Sequence, residues 1–283
     1  MGETVKMKEK VEVLLSTMHI KNEKELKEIL DTNKITTEVI VINQVDNKEN
    51  IFNYNDKGKE IKSFQEKGAS KSRNRLLENA EGDICIFADD DTKYVDNYNE
   101  IIKKEYADNP NADAIIFWVE NENVKREKNK KVGNKKVNLI DVMKIRTYEI
   151  SLRKSAIQKL KEKNIKFDEN FGPQGIFDKG EETVFLSEML KNGFKIYSVN
   201  KKIGVAQNNK STWFKGYNKK YLFDQGAIFY RIYPKLYNLF IIQYIIRKYN
   251  LYKENLSILQ AYKEMKKGAK KSKEIYGNTS KNR

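Results

Sequence analysis

The chain has 283 residues, 39% of them hydrophobic and 34% charged, so it is long enough to bury one sizeable core and polar enough for water. Its one cysteine, Cys85, excludes a disulfide framework and favours the reducing cytoplasm, and residues 1–10 lack the apolar core of an export signal. The net charge is +15, and residues 201–283 account for all of it, with 19 lysines and arginines against 4 acidic residues.

The first part of the chain alternates strand and helix patterns. Apolar and β-branched runs predict strands at 12–16, 38–43 and 84–88, and apolar residues at helical spacing predict helices at 24–32 and 70–80. This order is typical of an α/β sheet built from βαβ units, in which ligands bind at the carboxyl ends of the strands.

The run at 84–88 leads directly into three carboxylates, Asp89, Asp90 and Asp91. Side chains alternate along a strand, so a continuing strand would point Asp89 and Asp91 the same way and let them share one hard cation. Mg²⁺ or Mn²⁺ prefers such oxygen ligands and often completes its shell with substrate phosphates. An acidic turn at the surface is the alternative interpretation.

The second part of the chain divides near residue 212. Further strands are predicted at 114–119 and 195–199, another segment begins at Ile150, and residues 121–136 form a lysine-rich surface loop or hairpin. From Trp213 onward the pattern is helical, aromatic and basic. We therefore expect two regions, residues 1–212 and residues 213–283.

An apolar run at 236–246 lies between Lys235 and Arg247 in the second region. It is well short of the roughly 20 residues that cross a bilayer. An interfacial helix at an anionic membrane surface and a helix packed on the core both fit this pattern.

Several ordered motifs resemble those of glycosyltransferase family 2, whose members are inverting enzymes of the GT-A fold that use nucleotide sugars. After the first strand these motifs are Ser72-Arg73-Asn74, Glu81-Gly82-Asp83, Asp89-Asp90-Asp91 and Gly180-Glu181-Glu182, and the resemblance spans about residues 11–215. Residues 15–18, 41–44 and 211–217 resemble, more narrowly, transferases of bacterial capsular and exopolysaccharide clusters. The implied fold is a mostly parallel, mixed sheet flanked by helices, with a basic helical extension.

The resemblance implies a donor site at the acidic motif. Asp89 and Asp91 would hold Mn²⁺ or Mg²⁺, which neutralises the departing diphosphate as a Lewis acid. Asp90 would reach the donor's ribose or sugar, and Arg73 would add a fixed cation to the donor pocket. A surface ion pair is the alternative role for Arg73.

The resemblance also implies a base for the attacking hydroxyl. Glu182 aligns with the catalytic acid of the family's usual Glu-Asp pair and is the first candidate, while Glu181 could take the role instead. Alternatively, both carboxylates only stabilise the amino terminus of a helix.

The remaining candidate residues depart from the family's pattern. Thr17 and His19 stand where the family contacts the nucleotide base, and Asn43 stands where an aspartate commonly does so, with an amide that can still bond a pyrimidine edge. His19 is equally well an ordinary loop residue. Trp213 and Phe214 could stack on an acceptor sugar or belong to the core.

Together these features predict transfer of a sugar, from a UDP-sugar, to a saccharide acceptor that is a lipid-linked repeat unit, by a cytoplasmic protein peripheral to the membrane. A non-catalytic sugar-nucleotide-binding or scaffold protein of the same fold is the alternative. No nucleic-acid partner is expected, because residues 201–283 lack a recognisable reading motif and mix aromatic with long aliphatic residues.

Overall fold

A computed structural model of the protein describes residues 9–122, 134–207 and 216–277. The strands in these ranges are β1 Val11–Met18, β2 Glu38–Gln44, β3 Tyr54–Asp56, β4 Lys59–Phe64, β5 Ile84–Asp89, β6 Thr92–Tyr94, β7 Ala114–Asn121, β8 Lys135–Lys136, β9 Ile150–Arg153 and β10 Ile196–Ala206. The helices are α1 Glu23–Thr32, α2 Ala69–Asn79, α3 Tyr98–Asp108, α4 Lys154–Glu162, α5 Glu181–Lys191, α6 Lys219–Ile232, α7 Tyr237–Tyr252 and α8 Ile258–Tyr276.

All these strands join one mixed sheet, in the order β3-β4-β2-β1-β5-β9-β7-β10-β6, with β8 paired to β10. β1 runs parallel to both β2 and β5, and Ser16 lies in register with Ile42 on one side and Asp89 on the other. The carboxyl ends of these three strands therefore meet at one edge of the sheet, where α/β proteins bind ligands.

Two apolar clusters cover the two faces of the sheet, as alternation along a strand requires. Leu15 on β1 packs in one cluster with Leu26 of α1 and Tyr98 of α3. Its neighbour Leu14 packs in the other cluster with Leu76 of α2 and Phe185 of α5. The result is a helix–sheet–helix sandwich that orients α2 and α5 against the same face.

The strands predicted at 12–16, 38–43, 84–88, 114–119 and 195–199 and the helices predicted at 24–32 and 70–80 are confirmed, with α2 displaced by one residue and β10 extended past the predicted end. Ile150 begins a short strand, β9, which lies antiparallel between β5 and β7. At the end of the predicted loop at 121–136, Lys135–Lys136 pairs with β10, and residues 123–133 lie outside the described ranges.

The carboxyl-terminal helices pack on one another around Leu222, Tyr244 and Met265. α6 and α8 approach so closely that a Cβ on Gly226 would collide with the carbonyl oxygen of Met265, and one on Gly268 with that of Phe223. Only glycine permits such contact between helix backbones.

These helices also contact the sheet-bearing part of the chain. Ile228 and Ile232 of α6 cluster with Phe171, Phe177 and Val184. The guanidinium of Arg231 lies 2.8 Å from the carboxylate of Glu188 on α5. α6 is thereby fixed against α5, while the predicted division at residue 212 stays a prediction because residues 208–215 lie outside the described ranges.

α7 contains the apolar run at 236–246 and continues to Tyr252. Ile241 and Ile245 are buried against α6 and α8, whereas Leu239, Ile242 and Ile246 are exposed. No helix in the described ranges combines the length and apolar character that crossing a bilayer requires.

Candidate active site

The acidic motif forms a turn rather than a continuation of the strand. β5 ends at Asp89, and Asp90 and Asp91 form the turn that leads into β6. The alternation that would align Asp89 with Asp91 therefore stops at the strand end. Both side chains are partly exposed, and Asp90 is exposed.

Neighbouring elements hold this turn in place. The hydroxyl of Thr17, at the end of β1, donates to the carboxylate of Asp90 (3.1 Å), and the Asn33 amide donates to the Asp90 carbonyl (2.8 Å). The backbone N–H of Gln207, just after β10, donates to the Asp91 carbonyl (3.0 Å). Three separate elements thus position the carboxylates at the sheet edge.

Arg73 connects the acidic turn to the second acidic motif. It lies one turn into α2 and is buried, with Nη1 donating to Glu181 Oε1 at 2.6 Å and Nη2 3.5 Å from Asp89 Oδ1. Burial opposes its charge, but the carboxylates of Asp89, Glu181 and Glu182 outweigh that cost and raise the pKa of Arg73 above its ordinary value. The predicted surface ion pair is therefore wrong, because the guanidinium is enclosed between two carboxylates.

Glu181 and Glu182 form the first turn of α5, where the helix dipole favours negative charge. The residue before them, Gly180, has φ +97°, and a Cβ there would collide with Ile228 of α6. Glu181 is buried against Arg73, whereas Glu182 keeps part of its surface exposed. The two neighbours therefore have different environments and can have different tasks.

Burial raises the pKa of Glu182 to about 8, and the adjacent Glu181 carboxylate adds to the shift while Arg73 opposes it. A carboxyl group with a pKa near neutrality can exchange a proton with a substrate hydroxyl. The arrangement of one carboxylate fixed by arginine beside one with a raised pKa suits a general base and its supporting charge.

The loop after β1 contains the candidates for base contact. His19 has φ +65° and is half exposed, with Nδ1 3.9 Å from a carboxylate oxygen of Asp46. Asn43 is fully buried, and its side chain accepts from the N–H of Ile20 and donates to the Ile20 carbonyl and to Ser63 Oγ. Asn43 braces the loop and presents no amide edge to solvent, which corrects its predicted contact with a base.

The carboxylate oxygens at the turn suit a hard divalent cation, but a bound ligand and water would have to supply the other coordinating atoms. Asp89 and Asp91 supply carboxylate oxygens of the kind that Mg²⁺ and Mn²⁺ prefer. Across the described ranges, no three or more His, Cys, Asp or Glu side chains are grouped so that they could hold a metal. Two carboxylates would thus leave most of the coordination shell to water and substrate phosphates.

Other residues complete the inventory of the site. Trp213 and Phe214 lie outside the described ranges, so their predicted acceptor contact is not placed. The sequence interpretation missed Lys179 and Gln225, which meet beside α5, with Lys179 Nζ donating to Gln225 Oε1 at 2.8 Å. They are 46 residues apart, and the only sequence signal was the position of Lys179 two residues before the acidic pair.

Comparisons with known proteins agree with this architecture. A family model described as Glycosyl transferase family 2 matches residues 21–178, more than half of the chain. The structure of S. aureus TarS 1-349 in complex with UDP-GlcNAc aligns with a TM-score of 0.58 and 16% identity over 87% of this chain and 74% of that one. A longer S. aureus TarS aligns with a TM-score of 0.57 and 16% identity over 88% of this chain and 46% of that one.

A comparison with curated proteins gives no significant match. The structural likeness at 16% identity shows the fold, and it confirms the predicted α/β GT-A architecture. The family match carries the assignment of the chain, because it includes β2, α2 and the acidic turn. The chain belongs to glycosyl transferase family 2.

Proposed function

We propose that this glycosyltransferase moves one sugar from a UDP-sugar to a saccharide acceptor, with inversion at the anomeric carbon. The observation that carries the proposal is the bridge made by Arg73, which brings the acidic turn at Asp89 and the acidic pair at Glu181 to one sheet edge. The complex of S. aureus TarS 1-349 with UDP-GlcNAc, a protein of like fold, supports the choice of a uridine nucleotide.

In the proposed reaction the acceptor oxygen attacks the anomeric carbon as the diphosphate leaves, and a base takes the acceptor's proton. Glu182 serves as that base, and Glu181 is held in place by Arg73. Thr17 orients Asp90 toward the donor. A divalent cation at Asp89 and Asp91, Mn²⁺ or Mg²⁺, would stabilise the charge of the departing diphosphate.

We further propose that the acceptor is lipid-linked, as in the assembly of bacterial capsular polysaccharide or exopolysaccharide, and that the protein binds the cytoplasmic face of the membrane. Leu239, Ile242 and Ile246 form an exposed stripe at helical spacing on α7. Cations such as Lys235 and Arg247 flank the stripe, within the region that carries the whole net positive charge. Apolar residues bordered by cations fit a surface of anionic lipid headgroups.

The first experiment measures nucleoside diphosphate release from UDP-, GDP- and TDP-sugars with and without Mn²⁺, since slow donor hydrolysis often proceeds without an acceptor. We expect metal-dependent release from a UDP-sugar, lost in Asp91→Asn and kept in Asp56→Asn, a matched change of an exposed aspartate on β3. Metal-dependent UDP binding is measured in parallel by calorimetry.

The outcomes separate the alternatives. One outcome is nucleotide binding that depends on metal and on Asp91, with no diphosphate release from any donor. If a panel of saccharide acceptors also gives no transfer, this outcome favours the non-catalytic binding protein. Binding that is indifferent to both metal and Asp91→Asn would contradict the proposed metal site. The anomeric configuration of the product, read by NMR, tests inversion.

A further inference from the structure

The side chain of Lys179 lies between the start of α5 and the first turns of α6. Its Nζ donates to Gln225 Oε1 at 2.8 Å and sits 3.2 Å from the centroid of the Tyr221 ring. The close contact between Gly180 and Ile228 fixes the two helices against each other at this point. Lys179 is therefore held in position three residues before the proposed base, Glu182.

Gln225 places a second donor beside the ammonium. In its ammonium form Lys179 can only donate, and it takes the amide oxygen of Gln225 as its acceptor. Gln225 is only 5% exposed, and its Nε2 is buried without a hydrogen-bond partner in the described chain. A buried N–H left unpaired destabilises the protein, and a ligand oxygen that accepts from it would remove that cost.

The carboxylate of Asp224, near Lys179, is already bonded to other donors. Asp224 accepts from Lys220 Nζ at 2.6 Å and from the N–H of Asp178 at 3.3 Å. No carboxylate within the described ranges forms a salt bridge with Lys179. Burial lowers the pKa of Lys179 to about 7, against the opposing effect of Asp224 and Glu182.

We propose that Lys179 Nζ and Gln225 Nε2 bind an oxyanion of the acceptor, a carboxylate or a phosphate group close to the hydroxyl that receives the sugar. An anionic oxygen satisfies both donors and supplies the charge that the ammonium lacks. Lys179 precedes Glu182 by three residues and the Glu182 carboxylate acts on its charge, so an anion bound there would lie on the acceptor side of the proposed site. The inference rests on the proposed function, because it takes Glu182 as the base that the acceptor must reach.

Chemical labelling of the 283-residue chain tests this subsite without turnover. Lys179 is acetylated with limiting acetic anhydride and quantified by mass spectrometry, with the exposed Lys195 as the internal reference. The probes are glucuronate for a carboxylate, inorganic phosphate for a phosphate, and glucose as the neutral control. We expect one of the anions to slow labelling of Lys179 about tenfold at ten times its dissociation constant, and glucose to have no effect.

Gln225→Leu should remove this protection while Lys195 labels as before, and circular dichroism shows whether the variant is folded. Gln225→Glu gives the same test without loss of polarity, because the new carboxylate would pair with Lys179 and exclude the anion. Protection by glucuronate alone identifies an acidic sugar, and protection by phosphate alone identifies a phosphorylated acceptor.

The proposal is overturned if neither anion protects Lys179, or if either folded variant keeps the protection. It is also overturned if only UDP with Mn²⁺ protects, because the lysine would then serve the donor diphosphate. Donor hydrolysis is measured separately from labelling. If the anions fail to protect Lys179, the proposed function still stands, and if donor hydrolysis is not observed, the labelling result can still be interpreted.

Discussion

The acidic edge of the sheet and the outer face of α7 place their residues in opposite environments. At the sheet edge, Arg73 and Glu181 are charged and buried, and each is the other's partner at 2.6 Å. On α7, Leu239 and Ile246 are apolar yet 64% and 70% exposed. Buried charges and exposed apolar stripes are the two arrangements that folding alone does not favour, and both therefore point to function.

The difference lies in what completes each region. At the sheet edge Arg73 and Glu181 satisfy each other within the chain, so this pair is organised before any ligand arrives. The α7 stripe has cations beside it but no apolar partner in the described ranges. Changes at the sheet edge should therefore alter chemistry and stability, and changes on α7 should alter only association.

The largest effect is expected from Glu182→Gln, which keeps the size of the side chain and removes the base. Transfer should fall about 10²–10⁴-fold, because a positioned base contributes a factor of that size. Steady-state kinetics measures the loss, and UDP affinity should not change. Glu162→Gln, an exposed glutamate on α4, is the matched control. An equal loss in both variants would contradict the assignment.

The same residue predicts opposite pH dependences for rate and stability. The base acts when deprotonated, so kcat/KM should rise with pH up to about 8, the pKa to which burial and Glu181 raise Glu182. A carboxyl with a raised folded-state pKa holds a proton that the unfolded chain has lost, so its contribution to stability is lost as pH rises through about 8. Glu182→Gln should flatten both dependences.

Arg73→Met should be the most destabilising change at the sheet edge, by about 3–5 kcal/mol, because it leaves Glu181 charged and buried without a partner. Urea denaturation measures this loss. Adding Glu181→Gln should recover much of the stability, without recovering transfer. Arg75→Met on the same helix removes a half-exposed guanidinium that pairs with Glu66 and Glu78 and lies over the Phe64 ring, and it should cost less, about 1–2 kcal/mol.

The strands and helices could be predicted from the sequence because the spacing of apolar residues reflects which side chains are buried. Leu14 and Leu15 enter clusters on opposite faces of the sheet, as alternation predicts, and the apolar spacing at 24–32 and 70–80 became α1 and α2. These features depend on neighbours along the chain. A strand pattern read through Asp91 was wrong for the same reason, since the turn at Asp90 depends on contacts from Thr17 and Asn33.

The sequence predicted which residues belong to the site better than it predicted how their side chains pair. Arg73 and Glu181 were both named from the sequence, but as a donor cation and an alternative base rather than as one ion pair across 108 residues. Asn43 looked like a base contact until its amide was found bonded to Ile20 and Ser63. Such pairings are set by how helices and loops pack over the sheet, which spacing along the chain does not encode.

The smallest effect is expected on α7. Ile246→Glu should weaken binding to phosphatidylglycerol vesicles about tenfold, because it replaces an exposed apolar side chain that would insert between headgroups and adds a repelled charge. Gln243→Glu makes the same charge change at an exposed polar position of the helix and should weaken binding less.

Co-sedimentation with vesicles measures both variants, and donor hydrolysis should be unchanged in each, since α7 packs on α6 and α8 and both substituted side chains are exposed. Equal loss in Ile246→Glu and Gln243→Glu would mean that charge alone drives association and that the stripe plays no part. Preference for duplex DNA over anionic vesicles would overturn the membrane assignment and make residues 216–277 a nucleic-acid surface. Loss of vesicle binding in Ile246→Glu alone would show that the apolar stripe on α7 needs a partner outside the chain. Arg73 and Glu181 at the sheet edge, by contrast, are partners within it.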